Sequence, residues 1–237
     1  MKKPDIVGMI LERVEQEIED EWRPPRITGS FRGSELGDCP RALQYANLHY
    51  KPAAIDPRLA LLFRDGNLHH DAIRAELKKV GRLTNIEHGS WKRYEGVYNG
   101  QSIPLIITST CDLILDGQYV GDIKSITTYK FRKLTTAFVR ENYPHYVMQL
   151  NIYLDIYQKE WGFFVFKDKN NSALKVLWFK FSPELLQETL NKLAKIQYMT
   201  EQKKMIKRPF TKSSWDCKTC PFRQKCWGKP REGMHWR

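Results

Sequence analysis

The sequence has no long apolar run. Of its 237 residues 41% are hydrophobic, but every apolar stretch is short and interrupted by charge. No segment reads as a membrane span or a secretory leader, so the expectation is a soluble, cytoplasmic protein of a bacterium, an archaeon or a virus. Cysteine is scarce, with five in the chain. Without a secretory signal this argues against a disulfide framework and for metal or redox chemistry. There is no internal repeat and no low-complexity tract, and a chain of this length suits one sizeable core. Acidic residues are in deficit, with 27 Asp and Glu against 39 Lys and Arg and a formal charge of +12. The excess is uneven. Residues 202 to 237 hold 11 basic and two acidic residues, whereas residues 1 to 22 hold three basic and seven acidic ones. A basic end of that kind points to a polyanion, and nucleic acid is the commonest inside a cell. A solubilising tail is the bland alternative.

Ile6, Met9, Ile10, Val14 and Ile18 recur at helical spacing. They predict an acidic amphipathic helix over residues 4 to 21 that packs on the body. Residues 23 to 37, with Pro24-Pro25 and three glycines, read as irregular. Cys39-Pro40 then opens a helix to about His49, with proline where its missing N–H does no harm. In the next helix, from about Pro57 to Val80, the residues Phe63, Gly66, His70, Ile73, Leu77 and Val80 form one stripe. His69 lies about 100° away, so His70 is the inward histidine, and Gly66 one turn earlier allows another backbone to come close. A lone inward histidine is more often a hydrogen-bonded core residue than a ligand.

Residues 91 to 98 and 103 to 115 alternate like strands, and a third strand spans Gly121 to Ile126. The Asp116-Gly117 pair between the last two favours the positive φ angles of a tight turn. An ideal two-residue turn would pair Asp122 with Cys111 and leave Asp112 on the opposite face. A three-residue loop or a bulge shifts the register by one and sets Asp112 across from Asp122. A shared metal requires the second arrangement, so an irregularity is expected between Leu115 and Asp122. Asp122 and Lys124 share a face in either case. From Thr127 to Arg140, Tyr129, Lys130, Phe131, Arg132 and Lys133 interleave rings with cations, as in a surface that stacks bases and holds phosphates, or in an ordinary loop. Pro144 begins a helix to about Gln158 with Tyr146, Gln149 and Tyr153 along one face. A second hairpin joins residues 161 to 167 and 174 to 181, and Ser182 with Pro183 caps the last long helix.

Cys217, Cys220 and Cys226 are spaced C-x2-C-x5-C in a cationic setting, where nearby Lys and Arg are expected to favour the metal-binding thiolate. Three thiolates leave a tetrahedral metal or a cubane one ligand short. Once Asp112 faces the active site Cys111 points the opposite way, which leaves Cys39 as the fourth. A four-cysteine zinc site and a 4Fe-4S cluster both satisfy this spacing.

In order, Gly66-x3-His70, Asp112, Asp122-Ile123-Lys124 and Gln149-x3-Tyr153 resemble the RecB-like branch of the PD-(D/E)XK nucleases. The enclosing Cys39-Pro40-Arg41 and C-x2-C-x5-C are similar to its iron–sulfur members, which include CRISPR-associated RecB-like exonucleases and the nuclease domain of AddB. The likeness spans roughly residues 39 to 226. Ser109 departs from it, standing where the family often has glycine. The resemblance implies an α/β (α+β) fold with a restriction-endonuclease-like core, a central mixed sheet flanked by helices. A cysteine-ligated iron–sulfur subdomain, Cys39 plus residues 210 to 237, would join the N- and C-terminal segments, and residues 1 to 237 would form one nuclease domain behind the acidic helix of residues 1 to 22. It implies that His70, Asp112, Asp122 and the carbonyl of Ile123 hold Mg2+ or Mn2+. Lys124 would orient or help deprotonate the attacking water, and Gln149 and Tyr153 would hold the substrate or position Lys124. The implied activity is metal-dependent hydrolysis of DNA, expected here at single-stranded ends. Two competitors remain: a non-catalytic nucleic-acid-binding protein with a structural zinc site, and a DNA-processing subunit of a larger recombination or integration complex. For the latter, or for a homo-oligomer, the acidic helix is a candidate docking surface.

Overall fold

The computed structural model describes residues 5–20, 27–53 and 56–228. The ends of the N-terminal acidic segment, Pro24-Pro25 and the last nine residues of the basic tail lie outside them. A six-stranded mixed sheet is built from β1 (Ser30–Arg32), β2 (Leu83–Tyr98), β3 (Gln101–Leu115), β4 (Tyr119–Ile126), β5 (Trp161–Asp168) and β6 (Leu174–Lys180). Helices flank it: α1 (Ile6–Asp20), α2 (Pro40–Asn47), α3 (Pro57–Lys79), α4 (Thr128–Arg132), α5 (Thr136–Asn142), α6 (Pro144–Ile156) and α7 (Pro183–Glu201), with short α8 (Trp215–Lys218) and α9 (Arg223–Trp227) near the end. The long helices start where the sequence says they should. Asp56 accepts the Arg58 N–H (2.8 Å) ahead of Pro57, and Ser182 accepts the Leu185 N–H (3.2 Å) ahead of Pro183, each satisfying a donor that the first helical turn leaves open.

The sheet is organised around β3. One edge is paired along its length with β2, antiparallel from Tyr98↔Gln101 to Leu83↔Leu115. The other edge is divided. β1 runs parallel to Ile106–Thr108, and β4 runs antiparallel to Leu113–Leu115. Between them, Ser109 to Asp112 have no strand partner on that edge among the described residues, and the sheet forks.

The turn into β4 sets what sits at the fork. Asp116 and Gly117 both have positive φ (51° and 67°), and the Gln118 N–H closes onto the Leu115 carbonyl at 3.0 Å. This is the tight turn that Asp-Gly favours. Leu115 nevertheless pairs with Tyr119, so Gln118 is an extra, bulged residue. One step beyond the last ladder pair, Leu113↔Gly121, the register brings Asp112 opposite Asp122.

A main core lies beneath α6 and α7, with Phe31, Leu105, Ile107, Phe164, Phe166 and Leu193 inaccessible to solvent or nearly so. A smaller one packs Ile73 of α3 on Leu113, Ile123, Phe163 and Val165. On β3 the residues in the main core are odd-numbered through Cys111 and then include Ile114. The alternation therefore slips by one across Asp112, where β4 takes over as neighbour.

Three expectations need correction, and a fourth is met in part. The irregular stretch before residue 37 contains β1, too short to announce itself by alternation. The stripe on α3 is core only around Ile73, which is buried against the smaller core, whereas Phe63 and Val80 are 53% and 65% exposed. Among the described residues nothing approaches Gly66, around which a side chain would find open space. Finally, α1 leans on α3 through buried Val14, while Ile6, Met9 and Ile10 remain exposed.

One glycine that does admit a close neighbour is Gly96 on β2, where an added Cβ would collide with the Leu190 carbonyl and sit 2.8 Å from the Ala194 Cβ of α7. Gly96→Ala is expected to lower stability by roughly 1–3 kcal/mol through overpacking. Gly66→Ala, in the open middle of α3, is expected to raise it by about 0.5–1 kcal/mol. Denaturant titration of the two variants checks both signs.

Candidate active site and cysteine cluster

The fork opens into a cleft of about 640 Å³ lined by His70, Asp112, Asp122, Lys124, Gln149 and Tyr153. Four elements supply them, α3, β3, β4 and α6, and all six were singled out from the sequence. Asp112 holds the fork together. Its Oδ2 accepts the Ile123 N–H at 2.7 Å, in place of the β3 carbonyl that an unbroken ladder would offer. Its Oδ1 lies 3.3 Å from His70 Nδ1. Burial alone would raise the pKa of this carboxyl, but the His70 contact and the Ile123 N–H outweigh it and hold the pKa below the usual range.

Asp122 stands in the opposite condition. It is 2% exposed, and burial, reinforced by the charge of Asp112 against the pull of Lys124, pushes its carboxyl up to about 6. Lys124 Nζ lies 2.7 Å from Asp122 Oδ2 and donates to Gln149 Oε1 at 3.1 Å. Burial disfavours that ammonium, yet the Asp122 ion pair more than offsets the penalty and raises its pKa. Gln149 Nε2 donates in turn to the Tyr153 hydroxyl at 2.8 Å. Gln149 thus fixes Lys124, and Tyr153 fixes Gln149. The side chain of Ile123 is wholly buried in the smaller core, so this residue meets the cleft through its backbone.

Two carboxylates and an imidazole, with oxygen donors in the majority, match a hard divalent cation. A carboxyl whose charged form is disfavoured by burial is also one that gains from added positive charge. Among the described residues no three His, Cys, Asp or Glu side chains form a closed ligand set, because His70 is turned to Asp112 and Asp122 to Lys124. The cleft also contains residues that the sequence reading passed over. Arg74, largely buried and paired with Asp71 at 2.8 Å, lies one turn beyond His70 on the same helix face, a spacing that could have found it. Thr108 and Thr110 line the cleft on the strand that leads to Asp112, at the period of two that a strand face requires.

Four cysteines lie in one region elsewhere, but among the described residues no three of them form a group that could hold a metal either. Cys39 precedes α2, with the backbone N–H groups of Ala42 and Arg41 facing its sulfur, and it feels the charges of Cys226 and Cys217. Cys220 feels those of Cys39, Cys226 and Cys217. The segment around α2 is tied to the chain end by the Ala53 N–H donating to the Pro221 carbonyl (2.9 Å), by Tyr45 against Phe222 and by Lys225 over Tyr50. Cys111 is buried apart from these four, in the main core. The expectation that Lys and Arg lower the thiol pKa is not met at Cys39 or Cys220. Burial pushes Cys39 and Cys220 up, neighbouring sulfurs add to the rise, and only backbone N–H groups oppose it. Burial likewise takes Cys111 up to about 11.

Iodoacetamide at about pH 8 is therefore expected to modify Cys39, Cys217, Cys220 and Cys226 in metal-free protein and to spare Cys111, which reacts only as the pH approaches 11 or the chain unfolds. Peptide mapping by mass spectrometry reads this directly, and labelling of Cys111 alongside the others would contradict it.

No protein-family model matches the sequence, and neither does any curated protein. Among solved structures the fold is similar to that of the protein SSO0001, with a TM-score of 0.56 and 21% identity over 97% of this chain and 100% of that one. It is also similar to an alkaline exonuclease from Laribacter hongkongensis, with a TM-score of 0.50 and 11% identity over 81% of this chain and 93% of that one. At these identities the likeness establishes the fold.

Proposed function

We propose that the chain is a Mg2+- or Mn2+-dependent deoxyribonuclease that acts inside the cell, degrading single-stranded DNA from an end. The observation that carries this reading is the meeting of His70, Asp112, Asp122 and Lys124 in one cleft at the fork of the sheet. The fold shared with an alkaline exonuclease supports it. His70, Asp112, Asp122 and the Ile123 carbonyl would hold the ion. A divalent ion supplies the positive charge that makes water a better nucleophile and offsets the negative charge gathering on phosphorus. Lys124, kept charged by its buried partner, donates to the attacking water and orients it. Gln149 and Tyr153 keep the ammonium in place, and Arg74 is placed to receive a phosphate oxygen.

Cys39, Cys217, Cys220 and Cys226 would hold a 4Fe-4S cluster that acts as a staple between the two ends of one nuclease domain. Burial, with the neighbouring sulfurs adding to it, raises the thiol pKa of Cys39 and Cys220, and iron or zinc charge would relieve that repulsion. The resemblance to the iron–sulfur nucleases favours iron.

End-labelled single- and double-stranded DNA incubated with each divalent ion tests the activity. Asp122→Asn and, separately, Lys124→Ala are each expected to reduce degradation by about 100-fold or more. Removing one partner of a buried ion pair destabilises by about 3–5 kcal/mol, so the assay is run well below the melting temperature of each variant. Cutting at the wild-type rate by either folded variant would refute the assignment. Anaerobically purified protein is expected to show a visible absorption band that Cys220→Ala abolishes, whereas colourless protein with stoichiometric zinc would replace the cluster with a zinc site.

A further inference from the structure

We infer that α4 and the start of α6 form a stacking ledge that feeds a single DNA strand into the cleft, a refinement that rests on the nuclease reading above. Residues 127 to 140 contain four basic residues and no acidic one. Within that segment α4 has no buried residue, and five residues do not hold a helix on their own. The helix is instead pinned at both ends. The Thr128 hydroxyl donates to Asp168 Oδ1 at 2.8 Å, and beyond its last turn Lys175 Nζ donates to the Leu134 carbonyl at 3.2 Å. What the pinned helix displays is an exposed ring set among cations. Tyr129 is 69% exposed, Lys133 Nζ lies 4.1 Å from its ring centroid and donates to its hydroxyl at 2.6 Å, and Lys130 and Arg132 are exposed beside it.

Aromatic and cationic contacts then continue into the reaction centre. Lys130 Nζ lies 5.6 Å from the Tyr143 ring, Tyr143 stacks on Tyr146 at 5.1 Å and 16°, and the Tyr146 ring lies 4.7 Å from Lys124 Nζ. Covalently the route is as short, since α4 begins two residues after β4, the strand of Asp122 and Lys124. Aromatic faces take any base by stacking, and cations of one sign track phosphates. In a duplex the base faces are already stacked on one another, so these rings match a single strand.

The test is binding of a fluorescent oligothymidylate to the full-length protein in EDTA, followed by anisotropy with no cleavage possible. Tyr129→Ala and Tyr143→Ala are each expected to weaken binding by about 10-fold, and Tyr143→Phe to retain it. Lys130→Ala, at an exposed site, is expected to reduce the slope of log affinity against log salt by about 0.7. Wild-type affinity in Tyr129→Ala and Lys130→Ala, both surface changes that leave the core untouched, would overturn the ledge even if the protein degrades DNA. So would tighter binding of duplex DNA or of RNA of the same length. Loss of binding in the variants of a protein that cuts no DNA with any divalent ion would sustain the ledge and refute the nuclease.

Discussion

One hydrogen bond fixes the geometry of the cleft: the Asp112 carboxylate receiving the Ile123 N–H. Where β3 and β4 part, backbone donors lose their ladder partners, and a buried N–H without an acceptor is costly. Asp112 satisfies that donor from its side chain, so the strands can diverge without an orphaned group, and the gap between them becomes the mouth of the cleft. The same carboxylate reaches His70 with its other oxygen. Position and charge are thereby fixed together, because the contacts that close the fork also keep Asp112 ionised beside Asp122.

The bulge at Gln118 is the second requirement. Without that extra residue the Asp-Gly turn would form equally well, but Cys111 would face Asp122 and Asp112 would lie across the sheet. A single inserted residue thus decides whether two carboxylates share a site, since every side chain on a strand changes face with a one-residue slip. The outcome is an electrostatically tense centre, with a buried carboxyl of raised pKa, an ammonium retained by it and a second carboxylate alongside. Such a set is poorly explained as scaffold. Buried ion pairs contribute little net stability compared with well-packed apolar residues, whereas perturbed groups lining a cleft are what a reactive site needs.

Much of this was legible in the sequence because the signals were local. Asp56-Pro57 and Ser182-Pro183 mark helix starts, Asp116-Gly117 marks a turn, and the spacing of His70, Asp112, Asp122 and Lys124 places each on its element. The need for a register shift could be deduced from the chemistry, although the residue that provides it could not. Other features depended on packing that no local pattern encodes. β1 is a strand because Phe31 is buried against β3, not because three residues alternate. Gly66 resembled a close-approach glycine and faces open space, while Gly96, unremarked in its strand, admits a helix. Lysines near cysteines in sequence suggested stabilised thiolates, but at Cys39 and Cys220 burial and the other sulfurs prevail. Arg74 was hidden in the same helical spacing that revealed His70.

The central claim is that His70, Asp112 and Asp122 serve one cation. It is tested most directly by anomalous scattering from crystals soaked with Mn2+. The account predicts a single strong peak at the fork, within coordinating distance of the His70 imidazole and of both carboxylates, with Lys124 displaced from Asp122 Oδ2 toward Gln149. A peak bound elsewhere, or no peak at the fork while Asp122 stays locked to Lys124, would contradict it.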